Sequence, residues 1–598
     1  MTYHAPLQDM LFVLKELAGL ESIGKLPGYE EATIETAEAI LHENAKFCSE
    51  VVAPLNWPGD QEPGTWQDGQ VTTAAGFKEA FKAFGQAGWQ GVQHASDFGG
   101  QGLPRLVATP CIEMLNSANL SFALCPLLTD GAIEALMTAG SEVQKARYLP
   151  NLVSGKWTGT MNLTESQAGS DLAMVRTRAV AQNDGTDTYK LYGTKIYITY
   201  GEHDMAENIV HLVLARVSGA PEGVKGLSLF VVPKFLVDAS GAIGARNDVH
   251  CLSIEHKLGI RASPTAVLQF GDHGGAIGSL IGEENRGLEY MFIMMNAARF
   301  AVGMQGIGIA QRAYQQAVEF AKSRVQSRDP AGSPGPVAII RHPDVRRMLM
   351  SMRAQIEAAR ALAYVTAAAC DAAHHASDDE TRAVNKDFYE FMVPIVKGWS
   401  TEMSIDVAST GVQIHGGMGF IEETGAAQYY RDARILTIYE GTTAIQANDL
   451  IGRKTLRDGG LTARRIIGQA RSTQGMLAGH GSTDLKTMGA SLGIGLDALE
   501  QVVEYLLVDS KTNARNILAG SVPYLKLAGI VLGGWQMGRA ALAAERLLAT
   551  ETGDSGFYRA KIVTARFFAE HLSVQADAYR RAILYGSESV LTMSEEQF

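Results

Sequence analysis

The chain has 598 residues, more than one hydrophobic core can serve, since cores stop growing at roughly 250–300 residues and longer chains divide into domains. Its 46% hydrophobic and 19% charged residues are those of a folded globular protein and exclude a disordered or low-complexity chain. The 52 basic against 64 acidic residues leave a net charge of −12, with no Lys/Arg block to track a phosphate backbone, which argues against nucleic-acid binding.

In chain order, Leu7, Leu11, Leu14 and Leu17 recur at helical spacing among Asp9, Lys15 and Glu16, an amphipathic helix and not the apolar core of a signal peptide. From Glu30 to about Leu152 the apolar residues keep a helical period, with breaks at Pro54–Pro58 and Asp97–Pro104, so residues 1–155 are expected to form an N-terminal helical domain. The pattern changes after Gly155. Trp157–Leu163, Tyr189–Tyr192, Ile209–Leu214 and Leu227–Val232 are short, rich in β-branched and aromatic residues and separated by turn formers. They predict a β domain over 156–284, an antiparallel sandwich or barrel. Helical periodicity resumes over Leu288–Arg324, His342–His374 and Lys386–Gln413, long helices suited to a bundle over 285–455. Beyond Gly459-Gly460 further periodic segments predict an additional helical unit over 456–598, and the fold class is α+β, mainly α. Cys48, Cys111, Cys125, Cys251 and Cys370 lie far apart with no CxxC pair, so no disulfide framework and no metal site are expected, and a reducing cytoplasm fits. Leu527–Trp535 is half as long as a membrane span; it reads as a core helix, and no span is expected.

Three segments look unlike ordinary core or surface. In Asn162–Asp171 a strand runs into a loop of small hydroxyl-bearing residues where Gly169 lets a bulky anion approach the backbone; Ser170 and Asp171 are equally ordinary turn caps. Gln413-Ile414-His415-Gly416-Gly417-Met418-Gly419-Phe420 ends a long helix in glycines, of which a C-cap explains one, while the cluster also leaves room for a ligand against the backbone. His415 by itself reads as a hydrogen-bonded structural histidine. In Ile438–Gln446 the lone carboxylate of Glu440 precedes a helix starting near Thr442. It is either an acid favoured by the helix dipole or, if buried, a base of raised pKa.

Together, in this order and on this helix–strand–helix plan, the segments resemble the acyl-CoA dehydrogenase family over roughly residues 30–455. Thr164–Asp171 resembles the family's T-E-P-x-A-G-S-D loop, with Ser166 in place of the proline, and Gly193–Thr199 is similar to its G-x-K-x-W-I-T strand, with Tyr197 at the tryptophan. Lys257–Ser263, Gly282–Gly287, the helix containing Arg299 and the run from Gln413 to Thr442 match as well. The resemblance implies FAD bound between the β domain and the second helical domain. Thr164 and Thr199 would meet the flavin edge, with Gly169 and Ser170 in the adjoining loop and Tyr197 on the ring face. Arg324, Gln413, Gly416, Gly417 and Thr442 are assigned to the pyrophosphate and adenosine end, Arg324 and the Gln413 segment reaching a neighbouring subunit's cofactor in a homodimer or homotetramer. Ser170, Arg299 and Gly441 are assigned to the acyl-CoA. The family's R-x-x-F-G is here Arg324-Val325-Gln326-Ser327-Arg328. Family members carry their base either in a Tyr-Glu-Gly-Thr motif or just before the arginine of the long helix. This chain has Glu440 at the first position and Ala298 at the second, so the resemblance assigns the base to Glu440.

The implied activity is removal of a thioester α-proton by Glu440 and of a β-hydrogen as hydride to flavin N5, giving a trans-2-enoyl-CoA, with electrons passed to electron-transfer flavoprotein. Enolate charge on the carbonyl would be held by the base residue's own backbone N–H and the flavin ribityl hydroxyl. The continuation past Arg453 resembles the family's long bacterial branch, which includes enzymes acting on 3-methylthiopropanoyl-CoA in dimethylsulfoniopropionate breakdown, so that thioester is an expected substrate. Met291, Met294 and Met295 are either a soft lining for its thioether or ordinary core. An acyl-CoA oxidase shares the base and flavin; the ending Glu596-Gln597-Phe598, in place of a peroxisomal Ser-Lys-Leu, favours the dehydrogenase. A catalytically silent acyl-CoA-binding protein is the third reading, against which the intact Glu440 and loop speak.

Overall fold

The structure is a computed structural model and describes residues 3–182, 187–510, 513–551 and 553–598. The N-terminal segment expected as one helix divides into an α-helix, Leu7–Phe12, and a π-helical turn, Val13–Leu17. In the first domain α1 (Arg105–Ala118) and α2 (Leu120–Ala139) meet at Asn119, whose side chain caps α2 by accepting from the Phe122 N–H at 3.1 Å. α2 is long and apolar enough to cross a membrane, but 83% of its apolar window is buried, so here it is a core helix.

Among the described residues the β domain has, beside a separate two-stranded ribbon of Phe235–Val237 and Ile243–Arg246, a main sheet of eight strands: β1 (Trp157–Asn162), β2 (Arg178–Ala181), β3 (Thr188–Thr199), β4 (Asn208–Val217), β5 (Leu227–Pro233), β6 (Val249–Ile254), β7 (Thr265–Phe270) and β8 (Ala276–Ile281). Their order is β6-β7-β3-β8-β5-β4-β1, and β2 pairs with both β3 and β4, which closes β3, β8, β5, β4 and β2 into a ring. Closure removes sheet edges, and the strands of the ring bury near-continuous apolar runs such as Leu227–Pro233. The pairing is antiparallel except where β4 runs parallel to β1 and to β2. β1 rests on α2 where Gly159 meets Ala132; a Cβ on Gly159 would come within 2.4 Å of the Ala132 Cβ.

The bundle is built from α3 (Gly287–Ser323), α4 (Pro343–His375) and α5 (Asp379–His415). α5 starts at Asp379, ahead of the expected Lys386, because Asp378 caps it, accepting from the Thr381 N–H at 2.7 Å. α3 and α5 run parallel and close. A Cβ on Gly303 would lie 2.7 Å from Val396, one on Gly306 2.6 Å from the Ser400 carbonyl, and Phe320 stacks on His415 with centroids 4.4 Å apart. Two short helices follow, α6 (Ala426–Ala433) and α7 (Thr443–Asp449), and then the C-terminal helices α8 (Leu461–Ala478), α9 (Thr483–Asp509), α10 (Ser521–Ala549) and α11 (Ser555–Phe567). Leu527–Trp535 lies inside α10 and is buried, as a core helix should be. α10 receives Trp399 of α5 in a groove made by Gly529 and Gly533, where added Cβ atoms would approach the indole to 2.3 and 2.7 Å. A buried ion cluster ties the extension to the rest: Lys561 of α11 reaches Asp9 at 2.6 Å and Glu357 at 2.8 Å, and Arg360 of α4 reaches Asp9 at 2.6 Å and Glu113 of α1 at 2.5 Å.

Candidate active site

Glu440 sits in the turn before α7 with φ 52°, followed by Gly441 at 86°. A side chain in the left-handed region costs about 1–2 kcal/mol, so surrounding contacts must hold it there. Lys397 of α5 donates its Nζ to the carbonyls of Leu436 (2.8 Å) and Gly441 (2.7 Å). Gln446 Nε2 donates to the Glu440 and Gly441 carbonyls at 3.2 and 3.3 Å, and the Tyr439 hydroxyl donates to Gln305 of α3. Thr442 caps α7, its hydroxyl accepting from the Ile445 N–H at 3.3 Å. The carboxyl is half-buried, and burial raises its pKa against the pull of Arg299 and Lys397. The carboxyl is thus partly desolvated, unlike a solvated acid at a helix end. Arg299 of α3 is buried 3.5 Å from Asp449, and its Nε has no partner among the described residues. Burial lowers its pKa, opposed by Asp449 and Glu440. Burial pushes Lys397 down to about 7. Among the described residues the Glu440 N–H makes no hydrogen bond, which leaves it able to donate to a substrate carbonyl. Ala298, the other position at which a base could stand, is a buried apolar side chain beside Arg299.

The second group comes from the β domain. Glu165 and Ala168 exchange backbone hydrogen bonds of 3.0 Å, so Ser166-Gln167 form a tight turn. The buried Glu165 carboxylate accepts from Lys195 Nζ of β3 at 2.9 Å and from the Thr177 and Arg176 N–H groups at 3.0 and 2.8 Å. The Ile196 N–H donates to the Thr164 carbonyl at 2.9 Å, fastening the loop to β3 where its register shifts against β7. Tyr197 occupies that bulge with φ 59° and a ring 61% exposed, while Thr164 and Thr199 are half-buried. Gly169 and Ser170 are exposed, and a Cβ added to Gly169 would meet nothing within 4 Å. Asp171 does cap a short turn, accepting from the Ala173 N–H at 3.0 Å. A shared core of Met161, Ala168, Met291, Met294 and Ala298 packs the root of this loop against α3 just ahead of Arg299. Met291 and Met294 are therefore core, and Met295 is partly buried against them.

Lys257–Ser263 locks the β domain to α6. Ile260, with φ 45°, donates its N–H to Asp432 at 2.5 Å; Arg431 donates to the Leu258 carbonyl at 3.1 Å and pairs with Asp60 of the first domain. Burial raises the Asp432 pKa to about 7.

Arg324, Gln413, Gly416 and Gly417 form a third, separate group. Arg324 ends α3 and Gln413 lies near the end of α5, which the Phe320–His415 stack brings together. All four are exposed; Gly416 has φ 60°, and Cβ atoms on Gly416 or Gly417 would meet nothing within 4 Å. His415 is structural, hydrogen-bonded at 2.7 Å to the Gly411 carbonyl. At about 1.5 Å rise per residue, Arg324 stands roughly 37 Å along α3 from Arg299. The remote group lies at the C-terminal ends of α3 and α5, while the Glu440 turn is fastened to their middle portions at Gln305 and Lys397.

Sequence reasoning missed Lys397, Gln305, Gln446, Asp449 and the Glu165–Lys195 pair. Lys397 carried a signal, as the lone charge in the apolar run Phe391–Trp399, which is buried throughout.

Four family profiles match the chain: acyl-CoA dehydrogenase N-terminal domain over 35–156, middle domain over 160–273, C-terminal domain over 285–455, and acetyl-CoA dehydrogenase C-terminal like over 465–594. The chain belongs to the acyl-CoA dehydrogenase family and is an oxidoreductase. It is 52% identical over 595 residues, 99% of this chain and all of the relative, to 3-methylmercaptopropionyl-CoA dehydrogenase of Ruegeria pomeroyi. It is 35% identical over 625 residues, the full length of both, to a broad-specificity linear acyl-CoA dehydrogenase of Mycobacterium tuberculosis. An acyl-CoA dehydrogenase from Bacillus anthracis, solved in complex with FAD, shares the fold with a TM-score of 0.75 at 23% identity, over 96% of this chain and 92% of its own.

Proposed function

We propose that the protein is an FAD-dependent dehydrogenase of 3-methylmercaptopropionyl-CoA (3-methylthiopropanoyl-CoA), with Glu440 as the base. The observation that carries this reading is the Glu440 turn: a half-buried carboxylate of raised pKa, flanked by two buried cations, beside a backbone N–H with no partner among the described residues. The raised pKa makes Glu440 a stronger base toward the weakly acidic thioester α-carbon, while Arg299 and Lys397 keep it ionisable. Its N–H donates to the thioester carbonyl as enolate charge grows there. FAD supplies, when bound, the hydride acceptor that turns proton abstraction into an oxidation.

The residues present fit that group. The exposed Tyr197 ring offers an aromatic face on the stretch of β3 that carries Thr199 and is hydrogen-bonded to Thr164, and the open backbone at Gly169 in the Thr164 loop accepts a bulky ligand. Ser170 and Gly441 are assigned to the acyl-CoA. Thr442 serves the adenosine and pyrophosphate end, as do Arg324, Gln413, Gly416 and Gly417, but the last four serve the cofactor of a second copy. Their separation from the Glu440 turn supports this, as does the neighbouring apolar surface of Met418, Phe420 and Ile421, which are 49%, 86% and 46% exposed. The protein is then a homodimer or larger, works in the cytoplasm and passes electrons to electron-transfer flavoprotein. The substrate choice rests on the full-length identity to the Ruegeria pomeroyi enzyme.

The test is anaerobic mixing of flavin-replete protein with 3-methylthiopropanoyl-, butanoyl-, octanoyl- and palmitoyl-CoA, following flavin absorbance before and after admitting air. Fastest bleaching with the thioether substrate and slow reoxidation is the expected result. Rapid reoxidation with peroxide would make it an oxidase, and absence of bleaching would remove the catalytic reading.

A further inference from the structure

In the β domain, β6 and the turn after β7 bring together three side chains that the reaction does not use. Asp248 directly precedes β6 and His250 lies two residues on, so the two-residue period of a strand puts both on one face. β7 pairs antiparallel with β6, Val249 opposite Phe270, and the Gly271 N–H donates to the Asp248 carbonyl at 3.0 Å. The turn that follows brings His273 over the same carboxylate. His250 Nε2 lies 3.1 Å and His273 Nδ1 3.3 Å from Asp248 Oδ1, and these ligand atoms lie within 4.8 Å of one another.

The carboxylate is aimed by its other oxygen. Asp248 Oδ2 accepts from the His273 N–H at 2.7 Å and the Gly275 N–H at 3.0 Å, which fixes the group and leaves Oδ1 for the two imidazoles. Tetrahedral coordination with metal–ligand bonds of about 2.0–2.1 Å has ligand–ligand edges of roughly 3.3–3.4 Å, within a few tenths of both observed separations. The Asp248 side chain is 10% exposed while those of His250 and His273 are 39% and 76% exposed, so a hydrated ion can enter and keep water at its open position. Two imidazole nitrogens with one carboxylate oxygen suit zinc and its late first-row neighbours and not calcium or magnesium, which prefer oxygen ligands.

We propose that Asp248, His250 and His273 form a divalent transition-metal site, zinc by preference, that clamps the turn after β7 onto β6. Binding takes up the ring nitrogens facing Asp248 Oδ1 in their unprotonated form, each neutral imidazole carrying its proton on its other nitrogen, and joins two segments otherwise held by hydrogen bonds. The experiment uses tag-free, FAD-loaded protein, stripped with chelator and titrated calorimetrically with zinc chloride, with cobalt as a spectroscopic probe of coordination. The parent is expected to bind one zinc that H250A and H273A both lose, to show a tetrahedral cobalt spectrum, and to melt at higher temperature with zinc while the variants do not. FAD content and turnover stay unchanged in both. Because His273 is a surface side chain, H273A separates ligation from folding. A parent that binds no zinc, or variants that bind it as the parent does, would overturn the proposal.

Discussion

Replacing Lys397 with Met keeps the shape of the stem and removes the ammonium. Two charge-assisted hydrogen bonds, to the Leu436 and Gly441 carbonyls, disappear at roughly 1.5–3 kcal/mol each. Against this, burial holds the Lys397 pKa at about 7 instead of 10.5, a difference of about 5 kcal/mol that the methionine does not carry. The two nearly cancel, so K397M is expected to fold with a melting temperature near the parent's at neutral pH. Between pH 7 and 10.5 the unfolded parent holds this proton and the folded parent does not, so its stability rises with pH across that window; K397M lacks that rise. Activity is affected differently. Lys397 opposes the upward push on the Glu440 pKa from beyond ion-pair distance, and a unit charge at about 6–8 Å with an effective dielectric of about 20 is worth about 2–3 kcal/mol. At pH 6, where Lys397 is mostly protonated, K397M should therefore keep more of Glu440 in its protonated, inactive form and lower kcat by up to roughly 30-fold. At pH 9 the parent lysine is neutral too, and the loss should shrink to a few-fold. Steady-state rates of both proteins from pH 6 to 9 are the assay. An equal loss at both ends would reduce Lys397 to a scaffold for the turn and refute the electrostatic reasoning.

K561M removes the cation that joins Asp9 to Glu357; breaking a buried pair leaves carboxylates uncompensated, and a loss of about 3 kcal/mol is expected in urea unfolding, at the lower end because Arg360 and Arg353 remain. Burial works to raise the Asp9 pKa, but Lys561 and Arg360 outweigh it and bring it to about 2, so the parent's contribution from this cluster is present above about pH 4 and lost as pH falls toward 2, a loss that pH-dependent melting should record. Y197A should release FAD roughly tenfold more readily, read by ultrafiltration, while Y197W should retain it, since an aromatic contact contributes about 0.5–1.5 kcal/mol beyond its area.

The order of helices, strands and helices was legible because each element carries its own period, 3.6 in α3–α5 and a β-rich composition in β1, β4 and β5. The motif around Glu440 was legible, though the left-handed φ of that residue was not, since no glycine marks the position. What escaped depended on partners distant in the chain. The ring of β3, β8, β5, β4 and β2 needs β2 to pair on both sides, which no local pattern encodes. Glu165 looks like a loop acid until Lys195, thirty residues on, is placed beside it. Lys397 reads as a helix-surface lysine unless its whole run is known to be buried. The neighbours of Arg299, Asp449 and the Glu440 turn, lie about 140–150 residues on in the chain, and no local pattern announces them.

The most direct test of the account is a single anaerobic turnover by E440Q, the flavin-loaded variant mixed with 3-methylthiopropanoyl-CoA beside the parent. Gln keeps the shape of the turn and cannot accept the proton. Thioester binding should still perturb the flavin spectrum, while bleaching slows at least about a hundredfold, the contribution of a positioned general base. Bleaching at the parent's rate would contradict the assignment of Glu440 as the base.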